Sequence, residues 1–128
     1  MQSVIIDRDP AGIDKYFADG YIQHNPAFPN GKAPLFELVK VPYEVDVGLA
    51  IAQEDYFIIH NRIRGLGESF GLDAEASVIL AGIYRIEDGL IQERWDLWQE
   101  EVPASETVSG NSMLTHPHSV LGAELTTN

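Results

Sequence analysis

Two short stretches hold the side chains best suited to chemistry. In YIQHNP, Tyr21 to Pro26, a phenol, two carboxamides and an imidazole fall within six residues and end at a proline. His24 is the member of that stretch that titrates near neutrality, so it can act as base, acid or hydrogen-bond donor. Asn25 cannot take a proton and can only hydrogen-bond a carbonyl or hydroxyl. Further along, RWDLW sets Asp96 between two tryptophans. A carboxylate so placed on a strand is partly desolvated, which raises its pKa toward the range of a general acid–base. Plainer roles compete: Asp96 pairs with Arg94 or Arg85 or faces solvent, and His24 caps the Asn25-Pro26 bend.

Other candidates are weaker. His60 lies in FIIHNR with Tyr56, Ile58 and Arg62 as period-two neighbours, a setting more typical of a satisfied core histidine than of a ligand contact. Tyr84, Trp95, Trp98, Phe28 and Phe36 are aromatic enough to line a flat hydrophobic site, although a small core needs some of them. The HPH run at His116 to His118 lacks further spaced ligands, so no metal is expected. Ser69 in GESFG lacks the spacing of a nucleophile elbow, and its loop opens no helix.

The elements that position these groups follow from periodicity. Asp9-Pro10 starts a helix, with Ile13, Tyr16 and Phe17 on one face and Gly20 as its stop. Ala33 to Lys40 reads as a second short helix with the stripe Leu35, Leu38 and Val39, ended by Pro42. From Val45 the period becomes two, with Val45, Val47, Leu49 and Ile51 as the buried face of a strand. Tyr56 to Arg64 returns as the next strand, and SVILAGIYRI and LIQERWDLWQ form a hairpin around EDG. The pattern is two helices followed by four antiparallel strands, an α+β domain. A three-residue EDG loop would group Leu80, Gly82 and Tyr84 with Arg94, Asp96 and Trp98. A two-residue turn would instead set Asp96 beside Ala81 and Ile83. The turn signal leaves the two open; the first puts Ile83, Trp95 and Leu97 on an apolar outer face that a second subunit would cover.

Bulk properties narrow the rest. The 128 residues suit one domain, residues 1–102, followed by an extended arm at 103–128 rich in Ser, Thr and Gly, of the kind a neighbouring subunit can hold. Eight basic against twenty acidic residues give a net charge of −12, so neither nucleic acid nor an anionic membrane is an expected partner. The absence of cysteine excludes a disulfide framework and a thiolate nucleophile and fits a cytoplasmic location.

YIQHNPAFPNG, the strand ending in His60, GIYRIEDGLIQERWDLWQ and VPASETVSGNSM, in that order, resemble the SnoaL-like branch of the NTF2-like superfamily over about Asp14 to Met113. The resemblance implies a cone-shaped α+β barrel, helices packed on a strongly curved antiparallel sheet around a deep pocket, in a homodimer that needs no cofactor. It puts Asp96 where the cyclases and limonene-type epoxide hydrolases carry a pocket acid–base, and so favours the arrangement that groups Leu80, Gly82 and Tyr84 with Arg94, Asp96 and Trp98. It puts Gly82 where related enzymes place a second acid or histidine, so a two-carboxylate mechanism is not expected and room is left for a bulky substrate. His24 falls at the epoxide hydrolases' water-binding amide and Asn25 at the isomerases' base position. The implied function is proton transfer next to a carbonyl of a hydrophobic polyketide- or terpenoid-like small molecule, giving cyclisation, isomerisation or elimination. Asp96 and His24 would be catalytic; Asn25, Tyr84, Trp98, Tyr21, Phe28, Phe36 and His60 would bind substrate. A water-activating hydrolase and a non-catalytic binding module are the alternatives.

Overall fold

The computed structural model describes residues 11–115. The helix start at Asp9-Pro10 and the HPH run lie outside the described residues. Helix α1 (Ala11–Tyr16) buries Ile13 and passes directly into strand β1 (Phe17–Gln23). The helix expected to reach Gly20 therefore stops at Tyr16. The strand wins because β5 (Leu90–Glu100) offers β1 a parallel edge, with Ile22 opposite Glu93 and Gln23 opposite Arg94. An irregularity between Phe17 and Ile22 leaves Asp19 and Gly20 exposed while Phe17, Ala18 and Tyr21 stay buried. Helix α2 (Ala33–Leu38) carries Pro34 in its first turn and buries Leu35. It ends two residues short of the expected Lys40, whose N–H bonds to the Glu37 carbonyl in a closing turn.

Strands β2 (Glu44–Gln53), β3 (Tyr56–Arg64), β4 (Val78–Glu87) and β5 are antiparallel neighbours, and the sheet order is β1-β5-β4-β3-β2. The sheet is thus mixed, with β1 as its one parallel member. Tyr21, Leu35 and Tyr84 centre one buried cluster, and Phe70, Val78 and Leu80 a second.

Two bulges decide which side chains face inward. In β2 the pairing shifts between Val47 and Leu49, so Gly48 is the extra residue. Parity reverses there: Ala50 is buried, whereas Leu49 and Ile51, expected inside, are 37% and 60% exposed. A Cβ at Gly48 would lie 2.7 Å from Leu114 Cδ1, so the leucine methyl would have to shift to admit one. The β4–β5 turn holds two residues, Asp88 and Gly89, with φ of 57° and 74° and Glu87 opposite Leu90. That turn alone would give the unwanted parity. A second shift leaves Gln92 unpaired, after which Tyr84 faces Arg94, Gly82 faces Asp96 and Leu80 faces Trp98. The expected grouping is present, reached through a bulge instead of a three-residue loop.

The described part of the arm folds back on its own chain. Met113 Sδ accepts from the Val102 N–H at 3.2 Å, and Leu114, 4% exposed, seats against Gly48. Leu114 packs on its own sheet, whereas Pro103 to Ser112 is mostly exposed.

Candidate functional site

Asp96 lies on the inner face of β5, in a row that crosses the sheet from Ala50 through Ile59 and Gly82. Its side chain is fully buried. One oxygen, Oδ1, accepts from Arg94 Nε at 2.9 Å, and Oδ2 accepts from Asn25 Nδ2 at 2.7 Å. The ion pair weighed as a plain role is therefore present, and Asn25 reaches the same carboxylate from the YIQHNP turn. A carboxylate offers about four lone-pair positions, so two contacts leave it able to accept more.

Asn25 is fixed by its own turn. Its N–H donates to Gln23 Oε1 (3.0 Å), its Oδ1 accepts from the Ala27 N–H (2.8 Å), and its carbonyl accepts from the Phe28 N–H (3.2 Å). Such Asx turns are the usual use of asparagine before proline. The YIQHNP stretch is thus a turn whose buried corner presents an amide to Asp96.

Two phenols and a guanidinium complete the centre. Tyr84 is 1% exposed, its ring stacks on Phe57 at 4.4 Å, and the Arg94 guanidinium carbon sits 4.8 Å over it. Tyr21, also 1% exposed, meets Phe17 edge-on at 5.0 Å, and its Oη has no hydrogen-bond partner. Burial pushes the Tyr21 phenol up to about 12; Arg94 pulls the other way and Asp96 adds to the rise. Burial likewise raises Tyr84, with Arg94 opposing and Asp96 reinforcing. Both are O–H donors at neutral pH. Burial works against the Arg94 charge, but Tyr84, Asp96 and Tyr21 outweigh it, so the guanidinium holds its proton more firmly than usual. The centre therefore combines one carboxylate, one fixed cation and two neutral phenols in a dry interior, where such groups act most strongly on developing charge.

Gly82 gains an explanation. A Cβ there would lie 3.0 Å from Tyr84 Cε2 and 3.1 Å from both Tyr84 Oη and Asp96 Oδ1. The room expected for substrate is taken by the chain's own tyrosine, which folds back over the glycine. A phenol thus occupies the place of the second acid.

The structure separates other candidates from this centre. His24 alternates with Asn25 and points outward. Its Nε2 is 2.6 Å from Glu93 Oε2, its ring stacks on Trp95 at 5.1 Å, and its side chain is 41% exposed. His24 and Asp96, expected to act together, lie on opposite faces of the sheet, so they cannot share a substrate. His60, opposite Ala81 and Leu49, is also on the outer face. Trp98 is inward but one row along, edge-on to Phe70 at 4.7 Å, and Phe28 meets the same ring at 5.3 Å. Phe36 packs against the Tyr21–Tyr84 cluster. Among the described residues a groove of about 250 Å³, lined by Ile51, Gln53, Glu54, Tyr56 and Ile58, opens on the outer side, away from Asp96. Arg94 was legible only as a neutralising partner, and Asn61 only as a polar residue on the otherwise apolar inner run Phe57, Ile59, Ile63.

No protein-family model matches the sequence, and no curated protein does. Solved structures do match. TsrD from Streptomyces laurentii is similar at 23% identity and a TM-score of 0.60, over 76% of this chain and 81% of that one. An NTF2-like protein of unknown function from Mesorhizobium loti is similar at 19% identity and 0.60, over 77% and 84%. A provisionally assigned polyketide cyclase from Acidithiobacillus ferrooxidans is similar at 18% and 0.60, over 77% and 81%. With its few short helices on a curled five-stranded sheet, this chain has the NTF2-like fold that its motifs resemble.

Proposed function

We propose that the protein is a cofactor-independent enzyme that moves a proton at a carbon next to a carbonyl of a hydrophobic, ring-containing substrate, leading to cyclisation, isomerisation or elimination. The observation that carries this reading is a buried carboxylate beside two protonated phenols, one with an unpartnered Oη. Asp96 takes the proton; the C–H electron pair becomes a C–C π bond and the carbonyl π pair moves to oxygen. Tyr21 donates its O–H to that oxygen as the charge grows, with Arg94 adding field through Tyr84. Asn25 holds the carboxylate in place. Asp96 then returns the proton at the new position or to a leaving group. One well-aimed donor of this kind contributes about 10²–10³-fold.

Tyr21→Phe is the cleanest test, because the Oη makes no well-formed hydrogen bond and only the nearby Arg94 guanidinium acts on it. Turnover falls roughly 10²-fold while the melting temperature stays level or rises. Unchanged turnover on a processed substrate would end the assignment of Tyr21. A second reading, a non-catalytic binding module, is favoured by the sealing of Asp96 with both oxygens engaged. Tight binding of ring compounds with no conversion, in wild type and in Asp96→Asn alike, would select it.

A further inference from the structure

Among the described residues every exposed large apolar side chain except Val108 stands on the outer face of the sheet: Ile22, Leu49, Ile51, Tyr56, Ile58 and Leu97. Register sets the central ones in rows across β2 to β5. One row is Ile51, Ile58, Ile83 and Trp95; the next is Leu49, His60, Ala81 and Leu97. His60 is the single titratable side chain in these two rows. It is half-buried, and among the described residues no hydrogen bond or ion pair holds its ring.

The charges of this face lie toward its two ends and are balanced there. Beyond His60 on β3, Arg62 donates to Glu101 at 2.8 and 2.7 Å and to Asp46 of β2 at 3.4 Å, and Arg64 pairs with Asp46 at 2.9 Å. Two rows the other way, Arg85 and His24 share Glu93 at 3.2 and 2.6 Å, beside Tyr56. From β4, His60 meets Ile79, Ala81 and Ile83, none of them charged, and the arm brings the equally uncharged Leu114 to Gly48. The whole chain carries a net charge of −12, so two copies repel unless they meet where charge is locally balanced. The outer face meets that condition. Its four antiparallel strands, about 4.8 Å apart and about seven residues long at 3.4 Å each, cover roughly 450 Å² in projection. Corrugation by side chains raises the accessible area toward the roughly 800 Å² that each partner gives a stable interface.

We infer that a second copy of the chain docks on this face and that His60 makes the assembly pH-sensitive, the copies separating as the solution turns acid. The inference is independent of the proton-transfer reading, since it concerns the opposite side of the sheet. An imidazole gains its charge between about pH 5 and 8. Against apolar rows covered by a partner, that charge loses its water, and the acids at the end of the face are already taken by arginines. Separated copies leave His60 in reach of solvent, where the charge is tolerated. Docking therefore expels protons, and lowering the pH pulls the equilibrium toward single chains. Bulk charge predicts the reverse, because acid neutralises part of the −12 and weakens the repulsion between copies. The sign of the pH effect thus separates the two accounts.

Sedimentation equilibrium of the full chain at constant ionic strength, from pH 8 to pH 5.5, reads the dimer Kd. In wild type it is expected to rise about tenfold or more between pH 8 and pH 6, since each dimer buries two such imidazoles. In His60→Leu the dimer is at least as tight at pH 8, and its Kd stays level or falls on acidification. His60→Gln, polar but without a titrating group, repeats the measurement if the leucine variant does not melt cooperatively. His24→Gln keeps the wild-type profile, because that imidazole lies at the end of the face beside Glu93. A wild-type Kd that is flat or falls with acid overturns the inference, as does a rise that survives in both His60 variants. A profile abolished by His24→Gln moves the switch to the other histidine and also overturns it. A chain that is monomeric at every pH removes the docking surface itself. Circular dichroism at each pH accompanies the runs, and a rise in Kd that follows loss of secondary structure counts against the switch.

Discussion

Replacing Asp96 by asparagine tests whether the centre is held by charge or by shape. The two side chains are nearly isosteric, so shape alone would keep the fold. The structure argues otherwise. Asp96 is fully buried and Arg94 13% exposed, so the change leaves a guanidinium inside the protein without its counter-charge. It also misplaces a donor. An amide at 96 keeps one oxygen for Arg94 but presents its NH₂ where Oδ2 had accepted from Asn25 Nδ2, and Asn25 cannot turn over because its own Oδ1 holds the Ala27 N–H. Breaking a buried pair from one side costs about 3–5 kcal/mol. Against a total stability of about 5–15 kcal/mol this is a large fraction. At a urea m-value near 1.5 kcal/mol/M the midpoint falls by about 2–3 M. Arg94→Met added to Asp96→Asn removes the stranded charge, and the double variant recovers at least about 2 kcal/mol, which a double-mutant cycle reads directly. A loss below about 1 kcal/mol in Asp96→Asn, with no recovery in the double variant, would show that the pair is solvated and that the dry centre does not exist.

Gly82→Ala presses a methyl onto Tyr84 and Asp96 and costs about 1–3 kcal/mol in urea melts, with most of it returned when Tyr84 is shortened to leucine. Because Tyr21 titrates at about 12 when folded and near 10 when unfolded, the unfolded chain gives up that proton first. Stability therefore holds below pH 10 and falls as pH rises from 10 toward 12; phenolate absorbance with Tyr21→Phe as reference checks it, and a flat profile counts against the buried phenol. We propose a homodimer through the outer face, where Leu97 (72% exposed) on β5, Tyr56 and Ile58 on β3 and Ile51 on β2 are exposed; Leu97→Glu yields a monomer by light scattering, and a monomeric wild type would refute it. His24→Ala leaves turnover within about threefold, far from the 10²–10⁴-fold of a lost acid–base, since the imidazole lies on the far face.

The fold was legible where a period ran long enough to be unambiguous. The alternation from Val78 to Glu100 gave two strands and the partners of Asp96. Phe17 to Gln23 was not legible, because Asp19 and Gly20 look like a helix stop and only the distant edge of β5 makes the segment a strand. That one element carried the error at the site. Along a strand neighbouring side chains alternate, so Tyr21 and Asn25 turn in while Ile22 and His24 turn out. Read as a turn, the stretch credited all of them to one wall. The Gly48 bulge hid in the same way, since Val45 to Ile51 is a faultless alternation that one extra residue divides between two faces. Unpaired polar atoms such as Asn61 Oδ1 leave no trace in a pattern of types, because pairing is a property of neighbours far along the chain.

The extra residue in β5 bears on how this gene can change. Gln92 supplies one side-chain bond, from Nε2 to the Glu87 carbonyl at 2.9 Å, and its substitution costs little beyond that. Its deletion leaves the register intact as well. With Gln92 gone, Glu93 follows Ile91 directly and still stands opposite Arg85, so Arg94 keeps Tyr84 and Asp96 keeps Gly82. Only the local kink of the bulge and the bond to Glu87 are lost. A codon dropped here is absorbed as slack, whereas one dropped between Arg94 and Asp96 has no spare residue to absorb it and turns the carboxylate to the other face.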